Sequence, residues 1–253
     1  HEDLKQMVRD HFKGQPRGAH KMTYPHLALS GVVWLAMMYF TYLMLVTEAK
    51  WTIPVIGLCE WYVGANVFHD ASHNAVVMNP RLNRILSFIV FPWGFNVHAW
   101  RIQHVVSHHV HTNGHEDVDL FHFSPFMTLK KGEGTIPQAL HYLRVVLLCA
   151  FVYPHLTFAV PYGLLFGHVD PLHGHKMYDQ FSFGDKYRRQ LRGDIALEVL
   201  AIVAFLCLVF RIQGFVKGLC FYLSVNVVTS YLFSFFTQVS HLQEECFLDP
   251  KEK

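Results

Sequence analysis

The sequence predicts an all-α integral membrane domain of about four transmembrane helices, with a histidine-rich cap at their cytoplasmic ends. Three observations carry this: 52% of the 253 residues are hydrophobic and only 16% charged, several apolar runs approach or reach bilayer length, and many of the 19 histidines cluster where such runs end. That balance is too apolar for an ordinary water-exposed domain and suits a lipid-facing surface. An imidazole in or beside a bilayer needs a partner or a metal, so the histidines mark where chemistry is to be sought.

The formal net charge is +2, far from the basic footprint of a nucleic-acid binder, and a polynucleotide partner is excluded. Cys59, Cys149, Cys207, Cys220 and Cys246 are scattered, with no C-x-x-C pair, and read as buried thiols in a reducing or lipid setting. The chain opens on His1, with no signal-peptide pattern before the first apolar run. Residues 1–253 are therefore expected to be a single membrane domain that is a fragment of a longer protein.

Residues 27–46 form an uncharged run of the length needed to cross a hydrocarbon core of roughly 30 Å. After the short link 47–50, a second apolar run, 51–68, carries one acid, Glu60, and leads directly into His69, giving a hairpin of two spans. The stretch 85–97 is short and broken by Pro92 and Gly94, so it suits an interfacial or buried segment. Region 145–167 contains Pro154, His155 and Pro161, and runs 195–210 and 219–236 follow as a second hairpin around the link 211–218.

Lys5, Arg9, Lys13, Arg17 and Lys21 precede the first span, Arg81 and Arg84 follow the second, and Lys186, Arg188, Arg189 and Arg192 precede residue 195. Basic residues concentrate in short cytoplasmic segments, so all three stretches are expected there. Region 145–167 must then leave and re-enter on one side, as its prolines allow. The alternative makes 145–167 a span and demotes 219–236.

Three histidine groups sit at or near the ends of apolar segments. His69 and His73 are four apart, which on an α-helix puts both on one face, able to grip one metal, with Asp70 available to fix a tautomer. His104 and His108 repeat that spacing, and His109 lies about 100° further round, within reach of a second ion. His98, His111 and His115 flank this group. The third is His241, after Thr237 and Gln238 at the end of the last apolar run. The bland readings are a solvated histidine patch for the second group and a hydrogen-bonded membrane-edge histidine for the third.

Zinc is ordinarily satisfied by four ligands and has no redox chemistry. Six or more imidazoles with no cysteine among them point to two metal ions, and iron suits such ligands.

His69-x-x-x-His73, Trp100-x-x-x-His104-x-x-x-His108-His109 with Thr112-Asn113, and Gln238-x-x-His241 resemble the histidine boxes of the membrane fatty-acyl desaturases, closest to the front-end and acyl-lipid branch. The likeness covers nearly the whole chain, in order. It implies two iron ions (Fe2+) held by His69, His73, His104, His108, His109 and His241, with Asp70 and Gln238 as polar neighbours that orient the ligands. It also implies a fatty-acyl substrate (acyl-CoA or acyl-lipid) in a kinked apolar tunnel, and dioxygen and two electrons yielding a double bond and water. The electrons come from a cytochrome b5-like or ferredoxin-like donor. The compartment would be the endoplasmic reticulum in a eukaryote or the inner membrane in a bacterium. His98, His111 and His115 match no box position. The family's final Gln-x-x-His-His box is absent before Lys253, from which an inactive fragment is expected. The rival readings are a sister hydroxylase on the same scaffold and a non-enzymatic zinc-containing membrane receptor or transporter.

Overall fold

The computed structural model describes residues 2–112, 143, 146, 147, 149–166 and 185–241, with side chains from 186 to 237 in the last stretch. Among these residues every regular element is helical. Helix α1 (Glu2–Phe12) buries none of its residues and leaves Leu4, Met7 and Val8 exposed. Helix α2 (Tyr24–Thr47) begins with Pro25 in its first turn, where a missing N–H costs nothing, and ends where Glu48 turns left-handed and donates its N–H to Met44 O.

Helix α3 (Thr52–Val63), a π-wound segment (Gly64–Phe68) and helix α4 (His69–Ser72) follow one another without a break. Together they are about 30 Å long at helical rise. Helix α5 (Pro80–Leu86) is capped by Asn79, which accepts from the N–H groups of Arg81 and Leu82. A 3-10 turn (Ser87–Val90) leads to α6 (Val97–Trp100), capped by Asn96, then a second π-wound segment (Arg101–His108) and α7 (His109–His111). Helix α8 (Val152–Pro154), a third π-wound segment (His155–Ala159) and α9 (Val160–Phe166) form one short rod. Two long helices complete the set, α10 (Asp185–Gln213) and α11 (Phe215–His241), joined at Gly214, whose φ of 76° favours a residue without a Cβ.

Among the described residues three helices are long and apolar enough to cross a membrane: Tyr24–Thr47, Lys186–Gln213 and Phe215–Thr237. Their outward faces carry the exposed apolar side chains expected against lipid, among them Val32, Leu35 and Tyr39 on α2 and Leu197, Leu200 and Leu208 on α10. The 51–68 run is less regular than a plain span, because the π-wound segment interrupts it. Within the 145–167 region the described residues are helical at 146, 147 and 149 and, in short pieces, over 152–166. The 85–97 stretch buries Trp93 completely and is a core segment.

Close helix approach comes from small residues, as in lipid, where the hydrophobic effect does not drive helices together. Gly57 of α3 faces α11 so tightly that a Cβ would stand 2.7 Å from Val228 Cγ1, and Thr229 Oγ1 donates to Gly57 O at 3.2 Å. Trp93 fills the centre of the bundle beside Met37, Ile56, Val209 and Phe221, and its indole N–H donates to Thr41 Oγ1 at 3.0 Å. The two hairpin tips share one end of the bundle. There Gln213 donates to Leu45 O at 2.6 Å and Lys217 pairs with Glu48 at 2.9 Å. Helix α3 runs from that end to His69, so the histidines lie at the other.

Candidate metal centre

A π-wound segment precedes or carries each histidine pair. The first delivers His69 and His73 on and just after α4, with ring centroids 4.8 Å apart. The second carries His104 and leads straight into His109. An α-helix would pair His104 with His108, but π winding, at roughly four and a half residues per turn, sets His108 and His109 to either side of His104 and brings His109 within its reach. His104 Nε2 accordingly lies 3.2 Å from His109 Nε2. His108 is buried and stacks flat beside His104, with ring centroids 5.3 Å apart and planes 14° apart.

His69, His73, His104 and His109 each bring a ring nitrogen to a common point, all within 4.8 Å of one another. Two imidazoles on one first-row ion have nitrogens about 3 to 4 Å apart, given metal–nitrogen bonds of about 2.1 Å. His69 Nε2 and His109 Nε2 are each 3.2 Å from His104 Nε2, within that range. His73 Nε2 is buried, with no hydrogen-bond partner among the described residues. A buried, unsatisfied lone pair facing three other imidazoles fits a metal ligand. Burial first, and then the neighbouring His69, His104 and His109 rings, lower the pKa of His73 to about 4, so at neutral pH it offers that lone pair.

Surrounding groups hold the rings. Asp70 Oδ1 lies 3.0 Å from His69 Nδ1, and a proton donated there leaves the Nε2 lone pair turned to the cluster. The Trp100 ring lies against His104, with centroids 4.2 Å apart and planes 21° apart. Its indole N–H reaches Ser72 Oγ at 3.4 Å, and Ser72 in turn donates to His69 O at 2.6 Å. Trp100 thus couples the two histidine segments. Behind it Phe68, Phe95 and Phe233 form an apolar floor.

Of the six expected ligands, four converge and His108 lies beside them, while the side chains of Gln238 and His241 fall outside the described residues. His115 and Cys246 fall outside them too. His98 lies apart from the cluster: Nδ1 hydrogen-bonds Glu198, and Nε2 meets Arg84 at 3.3 Å and Asp194 at 3.5 Å. No local spacing announces this contact across 100 positions.

The fatty acid desaturase family model matches residues 48–252. The chain is 24% identical to the acyl-lipid omega-13 desaturase of Chlamydomonas reinhardtii, over 96% of this chain and 50% of that protein. It is 25% identical to the acyl-lipid (8-3)-desaturase B of Dictyostelium discoideum, over 96% of this chain and 52% of that protein. A shorter match, 43% identical over 53 residues, covers 20% of this chain and 15% of the sn-1 linoleoyl-lipid 6-desaturase of Synechocystis sp.. The chain spans about half the length of the first two relatives. No solved structure matches it. A family model that covers residues 48–252, on a helical membrane scaffold whose histidines converge on one point, makes this chain a member of the fatty acid desaturase family.

Proposed function

We propose that this chain is the catalytic core of an acyl-lipid desaturase that uses two irons. The observation that carries the proposal is the convergence of four imidazoles, from two separate segments, beneath which Trp100 and Phe68 present an apolar floor. Bound iron would supply the activation of dioxygen, an ability zinc lacks. Two hydrogens leave adjacent methylenes of the acyl chain, and with two electrons and two protons dioxygen becomes two waters. His69, His73, His104 and His109 would hold one ion, and His108 and His241 would serve the second. Asp70 keeps the proton of His69 on Nδ1, and Gln238 sits beside His241 in sequence to orient it.

Four spans are the preferred topology, the fourth being the run from α3 through α4. The basic stretches 5–21, 81–84 and 186–192 support a cytoplasmic cap in the endoplasmic reticulum or a bacterial inner membrane. A cytochrome b5-like or ferredoxin-like protein would deliver electrons there. The test is metal analysis together with mass spectrometry of the lipids of cells expressing the full-length enzyme. Iron and a lipid two hydrogens lighter support the proposal. A lipid one oxygen heavier assigns the sister hydroxylation, and zinc with no lipid change assigns a receptor or transporter.

A further inference from the structure

The contacts of His98 open onto a second feature. Two adjoining cavities, about 370 and 300 Å³, share Arg84, His98 and Asp194 between α5, α6 and α10. The larger is apolar, walled by Phe88, Phe91, Leu197, Ala201 and Ile202. Phe88, Phe91 and Leu197 are 38%, 43% and 68% exposed, on the side where α10 presents apolar residues outward, so this cavity opens towards lipid. The smaller is of mixed character, with Arg101, Tyr187 and Gln190 adding polar groups beside Ile102, Val105 and Leu191.

Charge is unevenly matched at the polar end. Asp194 pairs with Arg84 at 3.6 Å, and Glu198 accepts from the N–H of Val97 at 2.6 Å and from His98. Both carboxylates therefore have partners within the protein. The Arg101 guanidinium has none among the described residues. The exposed first turns of α10 add Lys186, Arg188, Arg189 and Arg192 nearby. An amphipathic molecule with a phosphate between Arg84 and Arg101 and an acyl chain along Phe91 and Ala201 matches this change from basic to apolar.

The site lies behind the metal centre. At roughly four and a half residues per turn, Arg101, Ile102, Val105 and Val106 form one face of the second π-wound segment, opposite His104 and His109. Phe95 closes the apolar cavity from the centre: it lines that cavity, stacks on Phe68 and packs at a tilt against Trp100. We propose that this cleft binds one anionic glycerophospholipid as a resident ligand, separate from any acyl chain that reacts at the metal.

The test is native mass spectrometry of the protein taken from nanodiscs of dioleoylphosphatidylcholine doped with dioleoylphosphatidylglycerol. One phosphatidylglycerol per chain should be retained. Its affinity should fall at least tenfold in Arg84→Gln/Arg101→Gln, and also in Ala201→Trp, which fills the apolar cavity with both arginines intact. Melting in pure phosphatidylcholine checks that each variant is folded. Removing metal with a chelator should leave retention unchanged, and excess glycerophosphate should not displace the lipid. Wild-type retention in both variants would overturn the proposal. So would displacement by glycerophosphate, which marks a simple anion site, or loss on chelation, which marks a reacting substrate.

Discussion

Replacing Trp100 by alanine separates the support of the centre from its ligands. The indole is 5% exposed and packs against Phe68, Phe95, Phe233 and His104 at centroid distances of 5.4, 5.2, 6.1 and 4.2 Å. Deleting a buried aromatic of this size costs about 3–5 kcal/mol. It also frees one face of His104 and unlinks Ser72, so metal affinity should fall about 10- to 100-fold, as when a group orienting a ligand is lost. Trp100→Phe keeps an aromatic ring in the stack and gives up part of the packing and the long 3.4 Å hydrogen bond, while Ser72 Oγ remains bonded to His69 O. Its stability cost should be clearly smaller than that of Trp100→Ala, with metal retained. Thermal unfolding in detergent and a competition titration with a metal chelator read the two effects. Wild-type stability and affinity in Trp100→Ala would refute the claim that this side chain ties the two histidine segments together.

Further outcomes follow from the same geometry. Asp70→Asn should stay folded, since that side chain is 44% exposed, but lose about 10- to 100-fold in metal affinity by chelator competition. In the full-length enzyme His108→Ala and His109→Ala should each abolish product, and only His109→Ala should weaken the four-imidazole site; equal metal loss in both would restore the α-helical pairing. Gly57→Val should destabilise by about 1–3 kcal/mol as α3 is forced from Val228, whereas Gly31→Ala, with open space around its Cα, should be neutral or stabilising in the same melt. A cysteine placed at Arg211 should react with an impermeant reagent from the far side of the membrane and one at Lys186 should not; the reverse would reject the four-span topology.

The long spans were legible because apolar length survives any detail of packing. Runs 27–46, 195–210 and 219–236 lie within α2, α10 and α11. What periodicity concealed was the winding. Reading residues 101–109 at 3.6 residues per turn pairs His104 with His108, but an i to i+5 ladder brings His109 to His104, and no residue type in Arg101–His108 announces it. The same applies to the interrupted rod from α3 to α4, where Gly64 opens the π-wound segment. Histidine spacing pointed to the segments whose imidazoles gather in the structure, because histidines crowded at the ends of apolar runs have few other uses. The Arg84, His98, Asp194 and Glu198 contacts stayed hidden, since they join residues a hundred positions apart whose spacing carries no signal.

The most direct test of the central claim is the iron content per chain of the intact protein and of His69→Ala, His73→Ala, His104→Ala and His109→Ala, measured by plasma mass spectrometry after purification without chelators. The convergence of four ring nitrogens within 4.8 Å predicts iron in the intact protein and a marked loss in every one of the four, with His20→Ala unchanged. Full iron in His73→Ala or His109→Ala, or zinc in place of iron throughout, would contradict it.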